Sequence, residues 1–92
     1  MKVNFYATLR QITGTKTVEV PMDGPLTVRQ LVDRLIREYP GLQPELVDPE
    51  GCLYQHIHIL VNGRDYHYLE SGENTQVTDS DLVNIFPAVG GG

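Results

Sequence analysis

Apolar and polar positions alternate at the start of the chain: Val3, Phe5, Ala7 and Leu9 are separated by Asn4, Tyr6 and Thr8. A period of two puts one set of side chains on a buried face, which predicts a half-buried strand running to Leu9. Gly14 marks a turn. Residues 16–20 then predict a second strand with Val18 and Val20 inward, and two strands this close in sequence predict a hairpin. Beyond residue 26 the period changes. Val28, Leu31, Val32, Leu35, Ile36 and Tyr39 recur at three- and four-residue intervals, the apolar stripe of a helix. Thr27 and Gln30 have the spacing of a capping box, in which each side chain satisfies a free N–H of the first turn. Pro40 and Gly41 end the helix, and residues 42–47 predict one further short helical turn.

Asp48-Pro49-Glu50-Gly51 is turn chemistry. Residues 56–61 predict a strand with Ile57, Ile59 and Val61 on one face and His56, His58 and Leu60 on the other. Asn62-Gly63 tolerates the positive φ of a tight hairpin turn, residues 66–69 predict a short edge strand, and Thr78-Asp79-Ser80-Asp81 a turn. The last strand, 82–86, turns Val83 and Ile85 inward, and Pro87 ends it because it cannot donate to a ladder. The order is strand, strand, helix, strand, short strand, strand. One amphipathic helix covering one face of a mixed sheet is a two-layer α+β solution, and this order suits a β-grasp fold. A single domain over residues 1–87 is expected, followed by a tail at 88–92. The uncovered face would carry Tyr6, Leu60 and Phe86, with Pro87 at its end, and outward apolar residues on neighbouring strands predict an interface with a partner.

Composition narrows the partner. The 92 residues carry a formal net charge of -5; a phosphate backbone selects the opposite sign, so no nucleic-acid partner is expected. No apolar run approaches the roughly 18–20 residues of a membrane span, and the N-terminus has no signal-peptide pattern. A cytoplasmic protein with no membrane partner is expected. A domain this small has little interior for a deep catalytic pocket, and no catalytic residue is predicted. Cys52 has no second cysteine and no evident base. Asp79 and Asp81 read as turn formers. His56 and His58 share a strand face and His67 follows, but a metal needs three or four converging ligands; surface histidines are the simpler reading, and no metal site or bound cofactor is expected.

The chemistry falls to the end of the chain, Ala88-Val89-Gly90-Gly91-Gly92. Three glycines have maximal backbone freedom, and five extended residues reach on the order of 17 Å, enough to thread a narrow channel in another protein. An α-carboxylate, with a pKa of about 3.3–3.7, is ionised and a poor electrophile at neutral pH. Adenylation of Gly92 by a separate ATP-using enzyme would make it a good acyl donor. A sulfur donor would convert that to a thiocarboxylate; an amine would give an isopeptide bond.

Over nearly its whole length the chain resembles the ubiquitin-like sulfur-carrier family of the small molybdopterin synthase subunit MoaD and the thiamine sulfur carrier ThiS. The resemblance rests on Tyr6-Ala7-Thr8-Leu9-Arg10, Leu26-Thr27-Val28, Ile59-Leu60-Val61-Asn62-Gly63, and the close from Asp79 through Phe86-Pro87-Ala88-Val89 to Gly90-Gly91. The 48–51 insert and the Pro87-Ala88-Val89 tail look closest to the carrier that feeds a cysteine synthase. The family implies a β-grasp fold, an E1-like adenylating enzyme as one partner, a sulfur-accepting synthase as the other, and docking of both on the face near Phe86. It implies a substrate of enzymes, not an enzyme. This tail has three glycines where the family usually has two, which leaves Gly92 and Gly91 both open as the mature end. A ubiquitin-like modifier joined to lysines, and a non-covalent β-grasp binding module with an inert tail, are the alternatives. The pathway served, of cysteine, molybdopterin or thiamine type, is open.

Overall fold

In the computed structural model, which describes residues 1–87, Val3 and Phe5 point inward from the first strand, β1 (Lys2–Phe5), and are fully buried. The strand ends there. Ala7 takes a φ of 54°, and the chain turns into a short helix, α1 (Ala7–Thr13), closed by Gly14 at φ 76° with its N–H donating to the Arg10 carbonyl at 2.9 Å. This corrects the strand expected to reach Leu9. The alternation Val3, Phe5, Ala7, Leu9 spans two elements: Leu9, buried, and Ile12, packed against the core, are spaced for a helix face. The second strand, β2 (Thr17–Glu19), does pair antiparallel with β1, but a helix rather than a tight turn joins them.

A two-residue strand, β3 (Leu26–Thr27), leads into the main helix, α2 (Val28–Glu38). The capping box is complete: the Thr27 hydroxyl accepts from the Gln30 N–H at 3.0 Å, and the Gln30 side chain accepts from the Thr27 N–H at 2.9 Å. Val28, Leu31, Val32 and Leu35 form the buried stripe. Pro40–Leu42 makes a 3₁₀ turn and α3 (Gln43–Leu46) the expected short helix. At the 48–51 turn, the Asp48 carboxylate accepts the N–H groups of Glu50 and Cys52, both at 2.9 Å, and Gly51 supplies a φ of 86°.

Strand β4 (His58–Val61) starts two residues later than its pattern predicts, although Ile57 is still buried. Asn62 and Gly63, at φ 52° and 87°, reverse the chain into β5 (Arg64–Asp65). The edge strand therefore lies at 64–65, not at 66–69. A two-residue turn puts the next two residues in register with β4, and Tyr66–Tyr68 instead forms a 3₁₀ turn capped by the Asp65 carboxylate. A second 3₁₀ turn (Gly72–Asn74) precedes β6 (Gln76–Val77), which pairs with β3; sequence patterning shows neither of these two-residue strands. The last strand, β7 (Leu82–Phe86), lies where expected.

The main sheet has the order β2-β1-β7-β4-β5, with β1 and β7 parallel and the other pairs antiparallel. The central strands bury Val3, Phe5, Val83, Ile85, Ile59 and Val61 beneath α2. The result is the α+β β-grasp arrangement. Among the described residues, no helix covers the opposite side of β1, β7 and β4.

Candidate functional site

Register fixes what the open sheet face presents. Asn4 pairs with Asn84, Asn84 with Leu60, and Leu60 with Asp65, so these four form one row across it. The next row toward the C-terminal end of β7 holds Phe86 and its partner His58. Tyr6, one residue beyond β1, stacks on Phe86 with ring centroids 4.2 Å apart and planes 12° from parallel. The Tyr6 hydroxyl donates to the Asn84 side-chain oxygen at 2.9 Å, and the Asn4 amide donates to the same oxygen at 3.1 Å. Thr17 in turn donates to the Asn4 oxygen at 2.7 Å, and the Lys16 ammonium lies 5.4 Å from the Tyr6 ring centre. The aromatic pair is thus held in one orientation by a polar row beneath it. A pre-set, half-buried aromatic patch with a cation at its rim has the make-up of a protein-docking surface.

The sequence-predicted interface residues fall together in part. Tyr6 and Phe86 touch, and Pro87 follows them. Leu60 is on the same face but one row away, a diagonal neighbour of Phe86 with Asn84 directly opposite it. Leu82 is 43% exposed and lies on this face, opposite Lys2. Tyr68 is 85% exposed on the turn after β5. Neither is among the residues expected at the interface: the 82–86 alternation puts Leu82 on the outward face with Asn84 and Phe86, and Tyr68 falls within the expected 66–69 strand, which does not form. Ala88, Val89, Gly90, Gly91 and Gly92 lie outside the described residues. The expected reactive end therefore leaves from the residue after the Phe86–Tyr6 stack.

At the other edge of the face, the turn after β5 brings His67 back toward β4. The Asp65 carboxylate accepts the His67 backbone N–H at 2.9 Å, and each of its oxygens meets one imidazole Nδ1 at 2.6 Å, that of His58 and that of His67. Burial works against the Asp65 charge, but the His67 N–H and the two imidazoles together outweigh it and hold the carboxyl below its usual value. His56 is the surface histidine expected, but it precedes β4 rather than lying in it, and it stacks on Tyr54 at 4.8 Å. Asp81 is a turn former: it accepts from the Thr78 N–H at 2.7 Å and from Asn62 at 2.9 Å. Asp79 lies in the same turn, which the Asp81 N–H closes on the Thr78 carbonyl at 3.0 Å, and its carboxylate also accepts from the Met1 ammonium at 2.6 Å. Cys52 is exposed and unpaired.

The ThiS family model matches residues 3–92, almost all of the sequence and through the terminal glycines. The chain belongs to the ThiS family. Within and around that family, it is 35% identical over 92 residues to small archaeal modifier protein 3 of Haloferax volcanii, covering 100% of this chain and 98% of the relative. It is also 35% identical over 81 residues to the sulfur carrier protein CysO of Mycobacterium bovis, covering 86% of this chain and 83% of the relative. Among solved structures, the crystal structure of the Amycolatopsis orientalis BexX/CysO complex contains a chain that matches with a TM-score of 0.79 and 33% identity, over 99% of this chain and 98% of that one. The β-grasp fold expected from the strand order and the family the chain resembles are thereby shown, and the relatives are small carriers and modifiers. No helix among the described residues is long and apolar enough to cross a membrane.

Proposed function

We propose that this chain is a sulfur carrier whose Gly92 carboxylate is the reactive group. The carboxylate attacks the α-phosphate of ATP in the active site of an E1-like adenylating enzyme, and pyrophosphate leaves. A sulfur donor then displaces AMP, and the terminal thiocarboxylate carries sulfur to an accepting synthase. The body contributes no catalytic group. Its task is to present the Tyr6–Phe86 patch, with Leu60 and Pro87, so that both enzymes receive the tail in the same direction.

The observation that carries this reading is positional. The family match extends through the glycines, and a stacked aromatic pair on the open face ends at Phe86, six residues from Gly92. That a CysO chain of the same fold occurs in a complex with another protein supports docking as the mode of action. Intact mass spectrometry of the chain from its native cells tests the proposal. A species heavier by the difference between one sulfur and one oxygen supports it. If every molecule carries a plain carboxylate under conditions that demand sulfur transfer, the reading fails.

A second reading has its own support: a relative that matches over the whole length is named a modifier. Here an amine of another protein takes the activated acyl group and an isopeptide bond forms. The same spectra distinguish the two, since a modifier gives higher-mass conjugates that retain the Gly92 carbonyl.

A further inference from the structure

The His58, Asp65 and His67 cluster lies outside the carrier chemistry, and three separate elements build it. His58 comes from β4, Asp65 from β5 across the hairpin, and His67 from the 3₁₀ turn that Asp65 itself caps. One ligand atom from each lies within 4.8 Å of the others. The two rings stand edge-on, 70° apart with centroids at 5.9 Å, so both Nδ1 atoms reach the same carboxylate without stacking. The three side chains are 45%, 14% and 22% exposed, so the cluster opens on the His58 side and is walled in at Asp65.

We infer that this cluster is a zinc site, with His58 Nδ1, His67 Nδ1 and an Asp65 oxygen as protein ligands and an exchangeable water in the fourth position. Two imidazoles and one carboxylate are a donor set that zinc accepts, and three protein ligands with one open place is a recurrent zinc arrangement. Tetrahedral bonds of about 2.0–2.1 Å put ligand atoms roughly 3.3 Å apart. The present nitrogen-to-oxygen contacts are 2.6 Å, on two different oxygens of Asp65, and the ligand atoms lie within 4.8 Å of one another, so zinc would lengthen the contacts by roughly 0.7 Å and draw the widest pair in by up to about 1.5 Å. The His67 N–H bond to Asp65 holds the carboxylate from outside, the kind of support that orients a metal ligand.

Each neutral imidazole that donates to Asp65 carries its proton on Nδ1. On binding zinc that proton is exchanged for one on Nε2, so the ring stays neutral and no proton is consumed. His67 Nε2 is buried and unpartnered. In the metal-bound form it carries the ring N–H, a donor without an acceptor among the described residues, so zinc binding there requires a water to reach it. Zinc here would place two positive charges one strand from Phe86, on a chain whose formal net charge is -5.

The test uses the full chain freed of any polyhistidine tag, titrated with zinc chloride in competition with a chromophoric chelator. One saturable zinc per chain is expected. His58→Ala and Asp65→Asn should each weaken it at least tenfold, and His56→Ala should leave it unchanged. Long-range ¹H–¹⁵N spectra should show both Nδ1 resonances, and not that of His56, moving on zinc addition. His58 is the most exposed of the three, so its alanine variant keeps the test open if Asp65→Asn loses its fold. Absence of saturable zinc uptake by the unaltered chain overturns the inference, as does uptake that His58→Ala leaves untouched. Neither result bears on the carrier reading, which uses none of these side chains.

Discussion

Ala7 sits at a φ of 54°, where a Cβ approaches the following carbonyl and costs about 1–2 kcal/mol. Glycine has no such penalty. Ala7→Gly is therefore expected to raise stability by about 1 kcal/mol in urea unfolding, because relief of strain exceeds the entropy that glycine adds to the unfolded chain; a loss of that size would mean that α1 needs the alanine more than the turn resents it. Asp81 makes the pH dependence at this scale. The Thr78 N–H first, then the Asn62 amide, hold its carboxyl below the ordinary 3.8. Its folded value is lower than its unfolded one, so it adds stability above about pH 3.8 and that contribution fades as pH falls through the folded value. Acid titration of stability should thus be steeper below pH 4 for the native chain than for Asp81→Asn. Equal slopes would remove Asp81 from the account.

Elements were legible where two independent signals agreed. For α2, the helical stripe and the Thr27–Gln30 box point to one start, and the helix begins at Val28. For β7, alternation and the stop at Pro87 agree, and the strand ends at Phe86. The first segment had only one signal. Four alternating apolar residues fit a strand, and what separates β1 from α1 is a backbone reversal at Ala7, a residue type that does not advertise positive φ. The edge strand lies elsewhere for a related reason: Asn62-Gly63 predicts the turn, but its short span dictates pairing at Arg64 and Asp65, where polar residues give no apolar pattern. The zinc ligands were half visible, as two histidines, while Asp65 joins them only through that same pairing. The cap gives the prediction at this scale. Thr27→Ala removes the acceptor for the Gln30 N–H and should cost about 1 kcal/mol; an unchanged urea midpoint would show that tertiary packing alone holds the end of α2.

At the scale of the molecule, α2 covers one face of the sheet, and the other face is the one proposed to meet partners. Central strand β7 connects core to exit: Val83 and Ile85 are fully buried, and Asn84 and Phe86 shape the open face. Phe86→Ala removes the upper ring of the stack without touching the buried side. It is expected to raise the KM of the activating enzyme for this protein by about tenfold or more, the effect of losing a docking hot spot, and to lower stability by only about 1–2 kcal/mol. A KM unchanged in a folded variant would move the docking surface away from the Tyr6–Phe86 pair. The most direct check of the central claim is ATP-dependent pyrophosphate release by the activating enzyme, with the full chain and with a chain ending at Val89. The full chain should support release and the shortened one should not, although both fold alike. Equal release from the two, or none from either, contradicts a terminal glycine as the group that ATP activates.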